Sequence, residues 1–247
     1  MRRYTFTAIL TATIFITNLV FGMNAIDIVK KGDDVSNAPK DAHIISTMTI
    51  IDQNGNKSIR KSEIYQKGTE KRLVRFLYPP DQKGIAFLSL PNDVMYLYLP
   101  AFHKIRQIAS HVKNQNFAGT DFTYDDLSAF RLSKSHKATL ISQDNEYYIV
   151  KLVPQKSEGK EYSFLKVWYR KDNFYPMKVE YYNKNGELYK ILSRSNLKKI
   201  KGYWIAMQME VKNIKKNHMT RSKMDKVEFD IGLSDRVFTK RFLIRSR

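Results

Sequence analysis

The sequence predicts a mainly β protein, built as one curved antiparallel sheet or barrel that follows a single helix. Most of the chain alternates apolar and polar side chains with period two, and turn-forming residues interrupt this alternation at short intervals. The chain has 247 residues, of which 43% are hydrophobic and 13% aromatic, so it can bury a core. It holds no cysteine, which excludes disulfides, cysteine nucleophiles and iron–sulfur clusters.

Residues 1–25 are typical of a secretory signal peptide. Two arginines near the start precede an apolar run at residues 6–21, and small residues follow the run. We expect cleavage after Gly22 or after Ala25. An uncleaved membrane anchor is the alternative, but the run is short for a membrane span and is broken by threonines. The mature chain, residues 26–247, is then expected to be a single periplasmic domain.

One amphipathic helix is predicted at the start of the mature chain, where Ile28 and Val29 stand among charged residues and Pro39 follows. Period-two alternation begins after it. The predicted strands are residues 43–51, 58–66, 72–78, 85–90, 94–99, 138–142, 147–153, 162–170, 177–182, 188–195, 203–214 and 223–231. Residues 105–137 show little alternation, and we predict a long loop with short helices there, of the kind that often carries function.

The alternation also predicts which side chains share a face. In residues 203–214, Met207 and Met209 fall on an apolar face, whereas Ala206 and Gln208 fall on the other, more polar face. A wide up-and-down sheet cannot easily fill its own concave side. Either helices plug the concavity, or it remains a cavity for an apolar ligand.

No enzymatic motif stands out. The chain lacks a P-loop, a dinucleotide fingerprint, a nucleophile elbow and a zinc-protease motif, and its five histidines lack ligand spacing. Asp125 and Asp126 are adjacent and should point apart, so helix capping or a turn is the favoured interpretation. A hydrolase using Asp121, Asp125 or Asp126 is the least favoured hypothesis. We therefore predict no enzyme, no catalytic residue, no metal and no cofactor.

The chain has many more basic than acidic residues, 43 Lys and Arg against 24 Asp and Glu. The formal net charge is +19, and most of the lysines and arginines fall at solvated strand positions. Nucleic acid is not expected as a partner because an exported protein rarely meets it. Two interpretations stay open: the charge gives solubility, or it attracts anionic lipid headgroups at about 1 kcal/mol per residue.

The chain resembles the LolA-like superfamily, specifically its branch of outer-membrane lipoprotein-sorting proteins. The resemblance spans nearly all of the mature chain, and the central F-x-G-x-D-F-x-Y-x-D-L run at residues 117–127 is its most specific part. The stretches that carry it are residues 75–84 (RFLYPPDQKG), 96–100 (YLYLP), 104–106 (KIR), 117–127 (FAGTDFTYDDL), 175–180 (YPMKVE), 201–205 (KGYWI) and 229–233 (FDIGL).

The resemblance implies an incomplete antiparallel β-barrel of about eleven strands, with a few helices covering its concave apolar face. It also implies a periplasmic carrier or chaperone, likewise without enzymatic activity, that binds acyl chains and moves lipoproteins or other lipids toward the outer membrane. Some members of the branch look like partners of RND-type exporters in the inner membrane. We further expect a monomer that touches membrane surfaces transiently.

Candidate ligand-binding side chains follow from the apolar faces and from the lid that loading and release would need. The candidate lid is the N-terminal helix or the connection at residues 105–132. The candidates for the cavity and its lid are Phe76, Leu88, Met95, Leu97, Leu99, Phe117, Phe122, Tyr124, Phe164, Trp168, Met207 and Met209. Plain core packing is the competing interpretation of each aromatic. The alternative function is a non-carrier periplasmic adaptor that docks on a transporter or envelope polymer through its basic face. That alternative predicts a filled interior.

Overall fold

The structure is a computed structural model that describes residues 23–128, 131–156 and 160–245. The predicted signal segment therefore lies, up to residue 22, outside the described residues. Among the described residues, no helix has the length and apolar character needed to cross a membrane.

Thirteen antiparallel strands in the described part of the chain form one open sheet. The strands are β1 (Asp41–Ile51), β2 (Lys57–Lys67), β3 (Lys71–Tyr78), β4 (Ala86–Leu90), β5 (Val94–Leu99), β6 (Lys104–Gln107), β7 (His136–Gln143), β8 (Tyr147–Pro154), β9 (Tyr162–Arg170), β10 (Pro176–Asn183), β11 (Leu188–Ile200), β12 (Tyr203–Asn213) and β13 (His218–Phe229). Their order across the sheet is β6-β5-β4-β3-β2-β1-β13-β12-β11-β10-β9-β8-β7. The sheet does not close, so the predicted incomplete barrel is confirmed.

The strand count exceeds the expected eleven, in part because of β6. The sequence predicts that residues 105–107 belong to the long connection, but with Lys104 they pair with β5. Four residues with only Ile105 apolar give too short an alternation to identify a strand, so backbone pairing at the edge of the sheet decides their structure.

The N-terminal helix α1 (Ala25–Ser36) lies on the concave face, against β7, β8, β9 and β12. The Asn24 side chain accepts a hydrogen bond from the backbone N–H of Ile26 at 3.4 Å and so caps the helix. Ile28 and Val29 are fully buried. A Cβ atom at Gly32 would come within 2.3 Å of the Tyr169 ring, so only glycine allows the helix to approach β9 this closely.

A second element, which we call the covering segment (residues 108–128 and 131–135), lies across the same face. It contains α2 (Tyr124–Leu127), α3 (Leu132–Ser135) and a 3-10 turn at Ser110–Val112, as predicted for a long loop with short helices. Its Phe117 ring packs against the Phe76 ring of β3, with centroids 5.0 Å apart.

The opposite face of β2 to β5 is covered by the end of the chain. A 3-10 turn at Asp235–Phe238 and α4 (Lys240–Leu243) place Phe238 and Leu243 over Leu73 and Leu88. The first strands of the sheet therefore have a buried core on both sides, whereas most of the other strands expose one face.

The main core is the cluster of buried apolar side chains between the concave face and its covers. Replacing Phe76, whose side chain is fully buried in this core, tests the packing. We expect Phe76→Ala to lower the free energy of unfolding by about 3–5 kcal/mol, because the cavity it leaves cannot collapse completely. Urea denaturation measures the change. The matched control is Phe102→Ala, whose side chain is 64% exposed and should cost less than about 0.5 kcal/mol. Equal losses in the two variants would contradict the described packing.

Candidate functional site

A cavity of about 310 Å³ remains between the concave face of the sheet and its two covers. Its walls come from β1 to β3 and from β9 to β13, and its roof comes from α1, α2 and the start of α3. The apolar side chains that line it include Ile44, Met48, Val74, Phe122, Leu127, Leu165, Val179, Leu192, Met209, Met224 and Phe229. Its size falls within the range of small-molecule sites, which begins at about 300 Å³.

The sequence-predicted site residues fall into three groups. Phe122 and Met209 line the cavity. Phe76, Met95, Leu97, Phe117 and Tyr124 face the same concave side but pack in the main core beside the cavity. The other five lie elsewhere, and they are Leu88, Leu99, Phe164, Trp168 and Met207.

Two of these five lie on the outer face of β9. There the inner face is made by Leu165, Val167 and Tyr169, all buried. Phe164 instead stacks on Tyr182 of β10, with ring centroids 4.5 Å apart, and the ammonium of Lys178 lies 4.5 Å from the Trp168 ring. The expected face of these two residues is wrong, because stacking between rings and lysine ammonium groups over them can stabilise aromatic side chains on a solvated face.

Leu88 belongs to the opposite cluster under the C-terminal segment, and Leu99 ends β5. Met207 lies in β12, where the alternation of inner and outer side chains is shifted by one residue. Its neighbour Ala206, expected on the polar face, is buried and lines the cavity, whereas Met207 does not line it. Asn196 of β11 has a positive φ of 53° between the pairs Ser195↔Gln208 and Leu197↔Ala206, so the regular alternation is interrupted there.

Polar side chains fix the covering segment to the sheet. The Asp126 carboxylate accepts hydrogen bonds from the Lys190 ammonium at 2.7 Å and from the Tyr181 hydroxyl at 2.9 Å. It also accepts from the backbone N–H of Thr123 at 2.9 Å, which completes a capping box at the start of α2. The interpretation of Asp126 as a helix cap is confirmed. The two side chains of the ion pair are only 8% and 6% exposed.

The ion pair also controls the charge of Asp126. Burial is the largest influence and favours the neutral acid, but the Lys190 ammonium and the hydrogen bonds from Lys190 and Thr123 outweigh it. The net result is a lowered pKa for Asp126, so the carboxylate stays ionised. Asp125 points the other way and pairs with Lys160, so the two adjacent carboxylates do not converge.

A second anchor joins the covering segment to β13. The backbone N–H of Asp121 donates to the Thr220 hydroxyl oxygen at 2.9 Å. That hydroxyl in turn donates to the Asp121 carboxylate, and the His218 ring nitrogen lies 2.8 Å from the same carboxylate oxygen. Asp121 is buried here and lies away from Asp125 and Asp126 as a structural anchor.

A third anchor comes from Arg72 of β3. One guanidinium nitrogen donates to the backbone carbonyls of Leu127 and Ser128, each at 3.3 Å, and the other donates to the Gln66 side chain at 2.5 Å. Burial, with a smaller contribution from Arg194, lowers the pKa of Arg72 to about 10. At neutral pH Arg72 therefore remains a cation inside the cavity.

A histidine, His136, contacts α3 and is neutral at physiological pH. Its Nδ1 atom lies 3.3 Å from the backbone carbonyl oxygen of Leu132. Burial and the nearby Lys160 ammonium lower the pKa of His136 to about 4. Its ring lies 3.1 Å from the hydroxyl of Tyr162, which lines the cavity. In the described ranges no three His, Asp or Glu side chains are grouped to hold a metal ion.

Removing one member of the buried ion pair tests how the covering segment is held. We expect Lys190→Met to lower the free energy of unfolding by about 3–5 kcal/mol, because the Asp126 carboxylate is left buried without its counter-ion. The double variant Asp126→Asn/Lys190→Met should be more stable than the single one, since no uncompensated charge remains. Chemical denaturation measures both. A loss of less than about 0.5 kcal/mol in Lys190→Met would contradict the ion pair's role.

Solved structures with the same architecture are known. A DUF1329 family protein from Desulfovibrio piger is 27% identical, with a TM-score of 0.83 over 89% of this chain and 97% of that one. A domain assigned to the outer membrane lipoprotein-sorting proteins, from Vibrio parahaemolyticus, is 28% identical, with a TM-score of 0.77 over 88% and 100%. A LolA superfamily protein from Nitrosomonas europaea, at 19% identity and a TM-score of 0.73 over 90% and 100%, shares the fold.

No curated protein matches the chain. A family model with the description Uncharacterized protein matches residues 68–245, which is well over half of the sequence. The chain therefore belongs to the family of that model, and its fold is the one found in the LolA superfamily protein and in the outer membrane lipoprotein-sorting domain.

Proposed function

We propose that the protein is a periplasmic carrier that holds an acyl chain of a lipoprotein or of another lipid in its cavity and moves it toward the outer membrane. The observation that carries the proposal is the apolar cavity under α1 and α2, about 310 Å³ in volume. Hydrocarbon buried in such a cavity contributes about 0.8 kcal/mol per CH₂ group, so affinity needs no elaborate polar recognition.

Loading and release require the roof to move, because α1, α2 and the start of α3 cover the concave face. The hydrogen bonds from Arg72 to the Leu127 and Ser128 carbonyls hold the roof over the cavity. The Asp126–Lys190 ion pair and the Asp121 anchor hold the roof as well, so water must replace all of these polar contacts when the roof opens. A lipid that favours the open form would then shift the population toward it.

The start of α1 supports export with cleavage after Gly22. Cleavage after Ala25 would remove Asn24, which caps α1, and Met23, which packs against the main core. Cleavage after Gly22 would keep both. We infer that the mature protein begins with these residues, acts as a monomer, touches membranes transiently and receives its cargo from an inner-membrane transporter of the RND type.

The alternative is a non-carrier adaptor that docks through its basic outer face. Lysines that cover the aromatic rings of β8 to β10, such as Lys151 at 4.3 Å from the Phe164 ring, favour some contact there. The adaptor hypothesis, however, predicts a filled interior. The cavity therefore favours the carrier.

Filling the cavity tests the carrier proposal. Ala206 lines the cavity and is buried, so we expect Ala206→Phe to occupy its volume and to weaken binding of a fluorescent fatty-acid probe at least tenfold. Extra core volume should cost about 1–3 kcal/mol of stability, and a thermal melt checks that the variant is folded. Fluorescence titration gives the affinity.

The matched control is Gln208→Phe, two residues along the same strand but exposed to solvent. It adds the same ring outside the cavity and should leave probe affinity unchanged. A wild-type protein that binds no probe, or equal affinities in Ala206→Phe and wild type, would contradict the proposal.

A further inference from the structure

Two positions on the concave face carry a guanidinium where the strand alternation places an apolar side chain. Arg72 precedes Val74 and Phe76 on the inner side of β3, and Arg194 follows Leu192 on the inner side of β11. Both arginines line the cavity. Placing a cation in a mostly apolar cavity is costly unless something compensates its charge.

Neither charge is compensated by a carboxylate within the part of the chain that the structure describes. Arg72 donates to two backbone carbonyls and to the amide oxygen of Gln66, and Arg194 donates to the carbonyl of Pro176 at 2.9 Å. Neither residue belongs to an ion pair with a described acid.

The acids that line the cavity are already engaged. Asp126 pairs with Lys190 and Asp125 pairs with Lys160. The Asp41 carboxylate accepts the backbone N–H groups of two residues after β13, at 2.8 and 2.9 Å. Glu161 is exposed to solvent.

Asp33 is also engaged, because its carboxylate accepts the N–H groups of Leu132 and Ser133 at 3.1 and 2.8 Å. Burial raises the pKa of Asp33, although these hydrogen bonds act in the opposite direction. The uncompensated charge on the cavity wall is therefore positive.

Buried donors that line the cavity also lack an acceptor. The Tyr169 hydroxyl, on a side chain that is 1% exposed, has no hydrogen-bond partner among the described residues, and neither has the Nε atom of Arg72. Leaving such a group unpaired costs about 1–3 kcal/mol. An acceptor supplied by a ligand would remove that cost.

We propose that the cavity selects amphiphiles whose head is an anionic oxygen group, a carboxylate or a phosphate, and that Arg72, Arg194 and Tyr169 bind this head while the apolar wall holds the chain. The inference rests on the proposed function and adds the class of headgroup. Guanidinium groups suit it because their planar donors match the geometry of carboxylates and phosphates.

The charges of these groups influence one another, as expected if they lie near one another in the cavity. The Arg194 charge helps to lower the pKa of Arg72, so the two guanidinium groups are near enough to repel each other. Burial and Asp33 raise the pKa of Tyr169, and Arg194 partly offsets them, which also places Arg194 near that hydroxyl. An anionic head bound between Arg72, Arg194 and Tyr169 would offset the repulsion between the two guanidinium groups, because it attracts both of them.

A ten-carbon series tests the proposal by isothermal titration calorimetry at neutral pH. The ligands are decanoate, decyl phosphate, decanol and decyltrimethylammonium, which share one chain and differ in the head. We expect decanoate or decyl phosphate to bind at least tenfold more tightly than decanol, with decyltrimethylammonium weakest. Comparison of decanoate with decyl phosphate identifies which anionic head is preferred.

The informative variant is Arg194→Gln, which keeps an N–H donor for the Pro176 carbonyl but loses the charge. It should reduce the preference for the anionic head over decanol, taken as the ratio of the two affinities in the same variant, at least fivefold. The control Arg221→Gln removes the same charge from the 60% exposed Arg221 on β13, and should leave the preference intact.

Other outcomes separate the two proposals. Equal binding of decanol and both anionic ligands would overturn the headgroup inference and leave the carrier proposal standing. Failure of every ten-carbon ligand to bind would overturn both. Acetate or inorganic phosphate binding as tightly as decanoate or decyl phosphate would show a site for free anions and would overturn the selection of amphiphiles.

Discussion

The structure depends on one constraint: a single open, curved sheet must bury its apolar concave face. Among the residues that the structure describes, α1 and the covering segment lie on the concave face, and together they leave about 310 Å³ unfilled. Around β3 and β4 the rings of Phe76, Phe87 and Phe117 fill the space. The cavity lies beside these rings, between the covers and the strands β1 to β3 and β9 to β13.

The covers are held by polar anchors as well as by apolar packing. Asp121 binds β13, Asp126 binds Lys190 of β11, and Arg72 of β3 binds the carbonyls at the end of α2. Directional contacts of this kind fix one closed arrangement, and the proposed opening of the roof would exchange them for contacts with water.

The sequence predicts the fold well because alternation and turn residues determine the strands locally. The elements that cover the sheet are also predicted, as an N-terminal amphipathic helix and as short helices in the long connection. It predicts the site less well. Phe164 and Trp168 face outward because lysines can cover aromatic rings in solvent, and the shift opposite Asn196 reverses the expected face of Ala206. Arg72 and Arg194 were missed, although a cation at an apolar position of a strand is a signal that sequence alone provides.

The most direct measurement is native mass spectrometry of the protein purified from its own cells without detergent, before and after organic-solvent extraction. The account predicts a protein that carries one lipid-sized mass, and an acyl lipid in the extract that rebinds when added back. A bare chain mass throughout, with no adduct after the extract is added, would contradict it.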